Sequence, residues 1–288
     1  MNQLNLFVEL TRLKKPIGFM LLFWPCAWGL TLAYDFSSSW IGYFYYLILF
    51  FLGAVLMRSA GCIVNDILDR KFDAKVFRTK NRPVASGKIS VKLAIFYSVV
   101  LCLLAFLVLI NFNLFTILLA LGSMPLAFTY PLMKRLTYWP QLFLGITFNY
   151  GLILGWTSIK GDLEIIPILF YFAAIFWTLG YDTIYGYQDI KDDEIIGLKS
   201  TSIKFKESPK KFLFICYTLL AVFYLTGGYF MEFHLNFYLL AIIPLAHLFF
   251  YQMKTFDFKN SLSCLKTFKS NNLFGLVILI NILISKII

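Results

Sequence analysis

Apolar stretches long enough to cross a lipid bilayer recur along the whole chain. A membrane-spanning helix needs roughly 20 consecutive, mainly apolar residues. Nine stretches come close to this length, at about 17–34, 41–62, 92–110, 114–131, 141–159, 165–185, 212–230, 235–252 and 271–287. The polar segments between them are too short to bury a core of their own. We therefore expect an all-α, polytopic membrane protein in which residues 1–288 form a single integral-membrane domain.

The composition supports a membrane protein over a soluble helical domain. Hydrophobic residues make up 60% of the chain and charged residues 14%, and the mean hydropathy is +0.76. Soluble domains are usually nearer half apolar, with about a quarter of their residues charged. The five cysteines and two histidines are scattered singly, so the sequence predicts neither a disulfide framework nor a zinc site.

The segments that join the apolar stretches fall into two classes that alternate along the chain. Short segments with almost no positive charge lie at 35–40, 111–113, 160–164 and 231–234. Longer, basic segments lie at 63–91, 132–140, 186–211 and 253–270. Placing the basic class on the cytoplasmic side leaves only Lys160 and Lys286, of 26 Lys and Arg residues, on the outer side. The net charge of +11 is therefore mainly topological, and nucleic-acid binding is not indicated.

The N-terminal segment, "MNQLNLFVELTRLKKPIGF", is expected to lie on the membrane surface as a short amphipathic segment. It lacks the basic region, apolar core and small-residue cleavage site of a secretory signal. It also lacks the pattern of a transit peptide, which favours a bacterial inner membrane over a mitochondrion. We expect the active-site loops to lie on the cytoplasmic side.

The two longest cytoplasmic loops both begin with an acidic cluster at the end of a predicted span. They follow the second and the sixth span, which are four spans apart. This spacing suggests two similar four-helix halves, about 17–131 and 141–252, followed by a ninth helix. No residue-level repeat supports the duplication, so it is a hypothesis.

The first acidic cluster is "NDILDRKFD", from Asn65 to Asp73. If the second helix continues through it, Asn65, Asp69 and Asp73 share one face, because they are spaced by four residues. Asp66 is then predicted to point away. Arg58 lies two turns earlier on the same face and deeper in the membrane.

The second cluster is "YDTIYGYQDIKDDE", from Tyr181 to Glu194. On a continuous helix Asp182, Asp189 and Asp193 share one face, and Asp192 is close to Asp189. Gly186 could let the helix bend within this run. The choice among Asp189, Asp192 and Asp193 as ligands stays open.

Carboxylates at these spacings repel one another unless positive charge lies on the same face. Mg²⁺ suits such a face, since it takes one or two carboxylates together with waters and substrate phosphate oxygens. Basic side chains that could bind the remaining phosphate oxygens follow the first cluster: Arg70, Lys75, Arg78, Lys80 and Arg82. A charged loop between spans is usually only solvated. Two clusters in phase at the same membrane edge favour a metal–diphosphate site.

At these residues the chain resembles the UbiA family of intramembrane prenyltransferases. The matching stretches include "NDILDRKFDAKVFRTKNRPVASG", "YDTIYGYQDIKDDEIIGLKST", "KKPIGFMLLFWPCAWGL" and "YPLMKRLTYWPQLFLG". The resemblance runs from Arg12 to about Phe205, and the last three spans carry no usable motif. "AGCIVNDILDRKFD" and "YDTIYGYQD" are most similar to the members that act on 4-hydroxybenzoate in ubiquinone biosynthesis.

The resemblance implies nine transmembrane helices around a central cavity, with the two Asp motifs facing each other across its cytoplasmic mouth. It implies Mg²⁺ as cofactor, and polyprenyl diphosphate and 4-hydroxybenzoate as substrates. Metal and diphosphate binding would fall to Asn65, Asp69, Asp73, Asp189 and Asp193, with Asp66, Asp182 and Asp192 as further candidate metal ligands. The "YPLMKR" stretch would bring Lys134 and Arg135 near the site.

The expected reaction passes through an allylic carbocation, which aromatic faces can stabilise. Tyr130, Tyr150, Tyr181 and Tyr185 are candidates by position. The acceptor carboxylate needs a cation, and Arg58 is the leading candidate, because an arginine inside a span must pair or line a cavity. An ordinary interhelical ion pair explains Arg58 equally well. Arg12, Lys15, Lys134 and Arg135 are competitors.

Two other functions fit parts of the pattern. A transporter also buries charges, but its site tends to lie near the membrane midplane. A UbiA-type enzyme with another acceptor, such as haem, a naphthoate or homogentisate, would share both clusters. A phospholipid-headgroup transferase would carry a DG…AR motif that this sequence lacks. No obligate protein partner is evident.

Overall fold

The computed structural model describes residues 2–76 and 79–288, which form helices and no strand. The helices are α1 (Gln3–Leu10), α2 (Ile17–Ala33), α3 (Trp40–Leu68), α4 (Arg70–Asp73), α5 (Val91–Leu109), α6 (Leu114–Thr129), α7 (Met133–Leu136), α8 (Pro140–Lys160), α9 (Ile165–Gly186), α10 (Ile190–Ile195), α11 (Thr201–Lys204), α12 (Pro209–Phe230), α13 (Leu235–Ala246), α14 (Met253–Thr255) and α15 (Ser261–Ile287). A 3₁₀ turn, Tyr130–Leu132, joins α6 to α7, and a π-helical turn, His247–Gln252, joins α13 to α14.

The predicted membrane spans match the long helices, and the all-α, multi-pass architecture is confirmed. In the described part of the chain, eight helical segments are long and apolar enough to cross a bilayer. The ninth predicted span is α2, which is equally apolar but has 17 residues. The hypothesis of two four-helix halves stays a prediction.

The last helix is longer than predicted. It begins at Ser261, whereas the sequence placed a loop up to residue 270. The Asn260 side chain caps its start by accepting hydrogen bonds from the backbone N–H groups of Leu262 and Ser263, at 3.0 and 3.2 Å. This cap and the apolar face of residues 261–270 stabilise a helical conformation in a segment whose charge content suggested a loop.

The helix α2 lies at the centre of the bundle, where it packs against α3, α8 and α15. Its contact with α8 is close because both helices carry glycine at the crossing. A Cβ atom at Gly29 would lie 2.0 Å from the Leu152 carbonyl oxygen, and one at Gly155 would lie 2.4 Å from that of Cys26. Small residues allow such an approach between membrane helices. The tight centre leaves the open space of the bundle near one end.

Neither acidic cluster continues its helix without a break. The helix α3 ends at Leu68, and Asp69, at φ −92° and ψ 2°, separates it from α4. The helix α9 ends at Gly186, and α10 starts at Ile190. The assumption of continuous helices is therefore wrong in both clusters, because the backbone turns where each helix leaves the bundle.

Candidate active site

A cavity of about 1320 Å³ opens at the end of the bundle that carries the basic loops. Side chains from both acidic clusters line it, as do cations and aromatic rings from other segments. The predicted site residues among its lining are Arg12, Lys15, Arg58, Asn65, Asp66, Asp69, Asp73, Arg82, Tyr130, Lys134, Tyr181, Asp182, Tyr185, Asp189 and Asp193. We call the polar rim of this cavity, formed by the two acidic clusters and their cations, the mouth.

Asp66 does not point away from the site, as the helical spacing predicted. Its side chain lines the cavity, and the residue is only 2% exposed. Arg12 and Arg82 both donate hydrogen bonds to its Oδ1 atom, at 2.6 and 3.1 Å. The prediction was wrong because the preceding and following segments fold over this side of α3 and bring two arginines to it.

Arg12 reaches Asp66 from an uncommon backbone conformation. Its φ of +58° lies in the left-handed region, which is unfavourable for a residue with a side chain. The turn between α1 and α2 adopts it and directs the guanidinium towards Asp66 at the mouth. Unfavourable backbone conformations of this kind are common at ligand-binding sites.

Asp69 and Asp73 are also bound to cations. Those at Asp69 come from α7, and the one at Asp73 comes from the loop after α4. Lys134 donates a hydrogen bond to Asp69 Oδ2, and Arg135 Nη2 lies 3.3 Å from Oδ1 of the same carboxylate. Arg82 donates to Asp73 Oδ2 at 2.8 Å. Burial raises the pKa of Asp73 above its ordinary value, and the charge of Arg82 opposes that rise.

The second cluster faces the first across the cavity. Asp182, Asp189 and Asp193 line it, and Asp192 does not. A backbone hydrogen bond from the Lys199 N–H to the Lys134 carbonyl, at 2.8 Å, ties the loop after α10 to α7. This link holds the two sides of the mouth together. The open choice among three aspartates therefore narrows by position to Asp189 and Asp193.

Arg58 lies within α3 and lines the cavity deeper in the bundle. Its guanidinium carbon is 5.2 Å from the centre of the Phe148 ring, and its Nε atom packs against Gly18. Within residues 2–76 and 79–288, Arg58 forms no ion pair with a carboxylate. The interhelical ion pair that the sequence left as an alternative is therefore not formed among these residues.

The aromatic candidates divide into two groups. Tyr130, Tyr181 and Tyr185 line the cavity, whereas Tyr150 does not. Tyr130 packs edge-on against Phe148, with ring centres 6.3 Å apart. The cavity therefore places aromatic rings beside Arg58 and the carboxylates.

Several predicted phosphate-binding residues lie elsewhere. Arg70, in α4, and Lys75, in the loop after it, are exposed and do not line the cavity. Arg135 is also outside the lining, although it binds Asp69 and donates to the Leu68 carbonyl at 2.7 Å. Lys80 is exposed and outside the lining. Arg78 lies outside the described residues.

Sequence reasoning missed the contribution of the last helix. Phe268, Lys269 and Asn272 of α15 line the cavity. The Asn272 side chain accepts a hydrogen bond from the Trp24 indole at 3.0 Å, which links α15 to α2. A lysine and an amide three residues apart, next to an apolar span, were the available signal.

The oxygen donors at the mouth suit a hard divalent cation whose coordination is completed by oxygen atoms of a substrate. The Oδ1 atom of Asn65 is buried and has no hydrogen-bond partner in residues 2–76 and 79–288, and the residue lines the cavity beside Asp66 and Asp69. Oxygen donors of this kind are the ligands that Mg²⁺ prefers. Among the described residues no three His, Cys, Asp or Glu side chains form a complete metal cage. Such a cage is not needed where substrate oxygens complete the coordination.

Comparison with known families and proteins gives a consistent result. The model of the UbiA prenyltransferase family matches residues 22–277. The protein "4-hydroxybenzoate polyprenyltransferase, mitochondrial" of Bos taurus is 43% identical over 286 residues, which are 98% of this chain and 75% of that protein. The Homo sapiens protein of the same name is 41% identical over 283 residues, with the same two coverages.

Solved structures share the fold. The apo structure of a UbiA homolog from Aeropyrum pernix K1 superimposes with a TM-score of 0.71 at 22% identity, over 92% of this chain and 97% of that chain. A UbiA homolog from Archaeoglobus fulgidus, bound to GPP and Mg²⁺, has a TM-score of 0.69 at 16% identity, over 98% and 100% of the two chains. At these identities the likeness concerns the fold.

Proposed function

This chain belongs to the UbiA prenyltransferase family, and we propose that it transfers a polyprenyl group from polyprenyl diphosphate to 4-hydroxybenzoate. The group joins the ring carbon ortho to the hydroxyl, and diphosphate is released, as a step of ubiquinone biosynthesis. The observation that carries the proposal is that residues of both acidic clusters and Arg58 line the same cavity. The names of the relatives supply the acceptor.

We assign the mouth to the diphosphate and to Mg²⁺. Asn65, Asp69 and Asp73 would hold the metal from one side and Asp189 and Asp193 from the other, with Asp66 and Asp182 in support. Bound there, Mg²⁺ would neutralise the diphosphate and make it a better leaving group. The arginines and lysines now bound to the carboxylates can also donate to phosphate oxygens, and the arginines can do so in a forked geometry.

We assign the part of the cavity around Arg58, deeper in the bundle than the mouth, to the acceptor and to the reacting prenyl carbon. Arg58 binds the acceptor carboxylate, since it lines the cavity and forms no ion pair among the described residues. The allylic C–O bond breaks with its electrons going to the diphosphate. The ring carbon then forms a bond to the prenyl carbon and loses its proton, for which the departing diphosphate is an available base. Tyr130, Tyr181 and Tyr185 surround the cation with aromatic faces and limit the access of water.

We place the protein in a bacterial inner membrane with the mouth on the cytoplasmic side. The concentration of Lys and Arg in the loops at that end supports the orientation. The relatives compared above are named as mitochondrial proteins. Fractionation of the source cells tests the membrane, and recovery in a mitochondrial fraction would contradict the bacterial assignment.

The function is tested by prenyl transfer to labelled 4-hydroxybenzoate in membranes that contain the protein, with Mg²⁺ or with EDTA. Asp69→Ala and Asp189→Ala are compared with Glu194→Gln, a matched loss of one carboxylate outside the cavity. We expect labelled product only with Mg²⁺ and with both aspartates present. Consumption of the prenyl diphosphate with another acceptor only would overturn the assignment of 4-hydroxybenzoate. No consumption with any acceptor would overturn the transferase itself.

A further inference from the structure

The two lysines that depart from the charge pattern of the sequence lie in one cavity. Lys160 ends α8, and Lys286 lies in the last turn of α15. They are far apart in sequence, yet both line a cavity of about 580 Å³ on the outer side, opposite the mouth. We call this the outer cavity. Its remaining wall includes the loop between α2 and α3, with Asp35 and the rings of Phe36 and Trp40.

Among the described residues that line the outer cavity, the positive charges outnumber the negative ones. Asp35 is the one acidic residue among the described residues that line it. Its Oδ1 atom accepts hydrogen bonds from the backbone N–H and the hydroxyl of Ser37, at 3.0 and 2.8 Å. In residues 2–76 and 79–288 no ion pair joins either lysine to a carboxylate. Asp162 and Glu164 follow α8 but do not line the cavity.

Each lysine alone has an ordinary explanation. A cation near the C-terminus of a helix interacts favourably with the partial negative charge of the last carbonyl groups. This accounts for one lysine at the end of α8 and one at the end of α15. It does not account for their lining one cavity together. That cavity holds two ammonium groups and one carboxylate, Asp35, so its lining keeps a net positive charge that a further anion would balance.

The surroundings of the outer cavity favour a lipid over a small soluble anion. Trp40 is 43% exposed beside the lysines, and Ile287 and Ile288 continue the apolar surface of α15, at 51% and 71% exposed. Tryptophan is typical of the level of the lipid headgroups. Phe36 packs on Trp40, with ring centres 4.9 Å apart, and this holds the aromatic wall in place. Acyl chains beside α15 would bring a headgroup phosphate to both lysines.

From this arrangement we propose that the outer cavity binds a phosphate group, and that the group belongs to an anionic phospholipid of the outer leaflet. Lys160 and Lys286 would hold the phosphate, and the aromatic wall would contact the glycerol region. This site is independent of the transferase function assigned to the mouth.

The test is native mass spectrometry of the delipidated protein titrated with phosphatidylglycerol, with phosphatidylcholine and with inorganic phosphate. The double variant Lys160→Gln/Lys286→Gln is compared with Lys210→Gln/Lys211→Gln, which removes two exposed lysines at the start of α12. We expect the first phosphatidylglycerol to bind wild type about tenfold more tightly than it binds the outer double variant. Its affinity for the control variant should be close to that for wild type. Phosphatidylcholine should bind more weakly, because its choline group carries a positive charge.

Binding of inorganic phosphate but not of phosphatidylglycerol, lost in the outer variant, would overturn the assignment to a lipid and identify a free anion as the ligand. Equal phosphatidylglycerol binding by wild type and the outer variant would overturn the proposal, as would an equal loss in both double variants. If the outer double variant does not fold, Lys160→Gln and Lys286→Gln are measured singly. The charge-preserving Lys160→Arg/Lys286→Arg should retain binding, and its loss would also count against the site.

Discussion

The two ends of the helical bundle compensate their charges in different ways. At the mouth, Asp66, Asp69 and Asp73 are bound by Arg12, Arg82, Lys134 and Arg135, which come from segments far apart in the chain. At the outer end, Lys160 and Lys286 share a cavity without an ion pair among the described residues. Paired charges that line a large cavity are expected to position a reaction. Unpaired cations at the membrane surface are expected to bind what the membrane supplies.

The largest effect is expected at Asp69. Asp69→Asn removes the partner of Lys134 and Arg135 and one proposed metal ligand, so the rate of prenyl transfer should fall by about a hundredfold or more. The rate is measured with Mg²⁺ and both substrates saturating. Glu194→Gln is the control, since it breaks an exposed ion pair of 2.8 Å with Lys206 and should change the rate little. A rate for Asp69→Asn near that of the control would contradict the assignment of the mouth.

A second experiment separates two adjacent aspartates. Asp193 lines the cavity and Asp192 does not, so Asp193→Asn should lower the rate about tenfold or more, and Asp192→Asn should lower it far less. The Mg²⁺ concentration needed for half-maximal rate should rise only in Asp193→Asn. If Asp192→Asn is the more damaging variant, the position of α10 relative to the cavity is not the one that operates in catalysis.

Arg58 gives a selective effect on one substrate. Arg58→Met should raise the KM for 4-hydroxybenzoate by about tenfold or more, because a charged hydrogen bond to the acceptor carboxylate is lost. The KM for the prenyl diphosphate should change little. With an acceptor that lacks the carboxylate, Arg58→Met should raise the KM for the acceptor by a smaller factor. Equal increases in both KM values would show that Arg58 supports the fold of the cavity and does not bind the acceptor.

The smallest effect is expected at the outer end. The hydroxyl of Ser37, and then its backbone N–H, hold the pKa of the exposed Asp35 below its ordinary value. A carboxyl group with a lowered pKa contributes stability that is present above its unfolded pKa, about 4, and is lost as the pH falls through the folded pKa. Ser37→Ala should therefore raise the pKa of Asp35 and reduce this small contribution.

The pKa of Asp35 can be followed by ¹³C NMR of its labelled carboxyl group. Ser38→Ala is the matched control, because the Ser38 hydroxyl donates to the Asp35 backbone carbonyl, at 2.7 Å, and not to the carboxylate. The pKa in Ser38→Ala should stay at the wild-type value. Equal pKa values in Ser37→Ala and wild type would show that the Ser37 hydroxyl does not stabilise the carboxylate.

The sequence was sufficient for the spans because a bilayer makes one demand, apolar length, that can be read residue by residue. It also predicted that the two acidic clusters lie together, and residues of both clusters line one cavity; their role as metal ligands stays a prediction. It failed at Asp66, since helical spacing describes a single element and the arginines that cover Asp66 come from elsewhere. It failed at α15 because Lys269 and Asn272 were assigned to a loop and its boundary.

Spacing placed Asp193 on the face of Asp182 and Asp189, but it left Asp192 open as a ligand because Asp192 is also close to Asp189. The distinction depends on the break after Gly186, which changes the rotation of everything that follows. Arg70 and Lys75 show the same limit: a basic residue near a site in sequence can face solvent once a short helix turns it. Which cations pair with which carboxylates is a property of the assembled mouth.

The most direct test of the central claim is the structure of the product. The protein in Mg²⁺-containing membranes is given 4-hydroxybenzoate with a ¹³C-labelled ring and a polyprenyl diphosphate, and the labelled product is examined by mass spectrometry and NMR. The account predicts one added prenyl group, bonded to the ring carbon ortho to the hydroxyl. A prenyl ether, a prenyl ester, or loss of the prenyl diphosphate with no label in the prenylated product would contradict it.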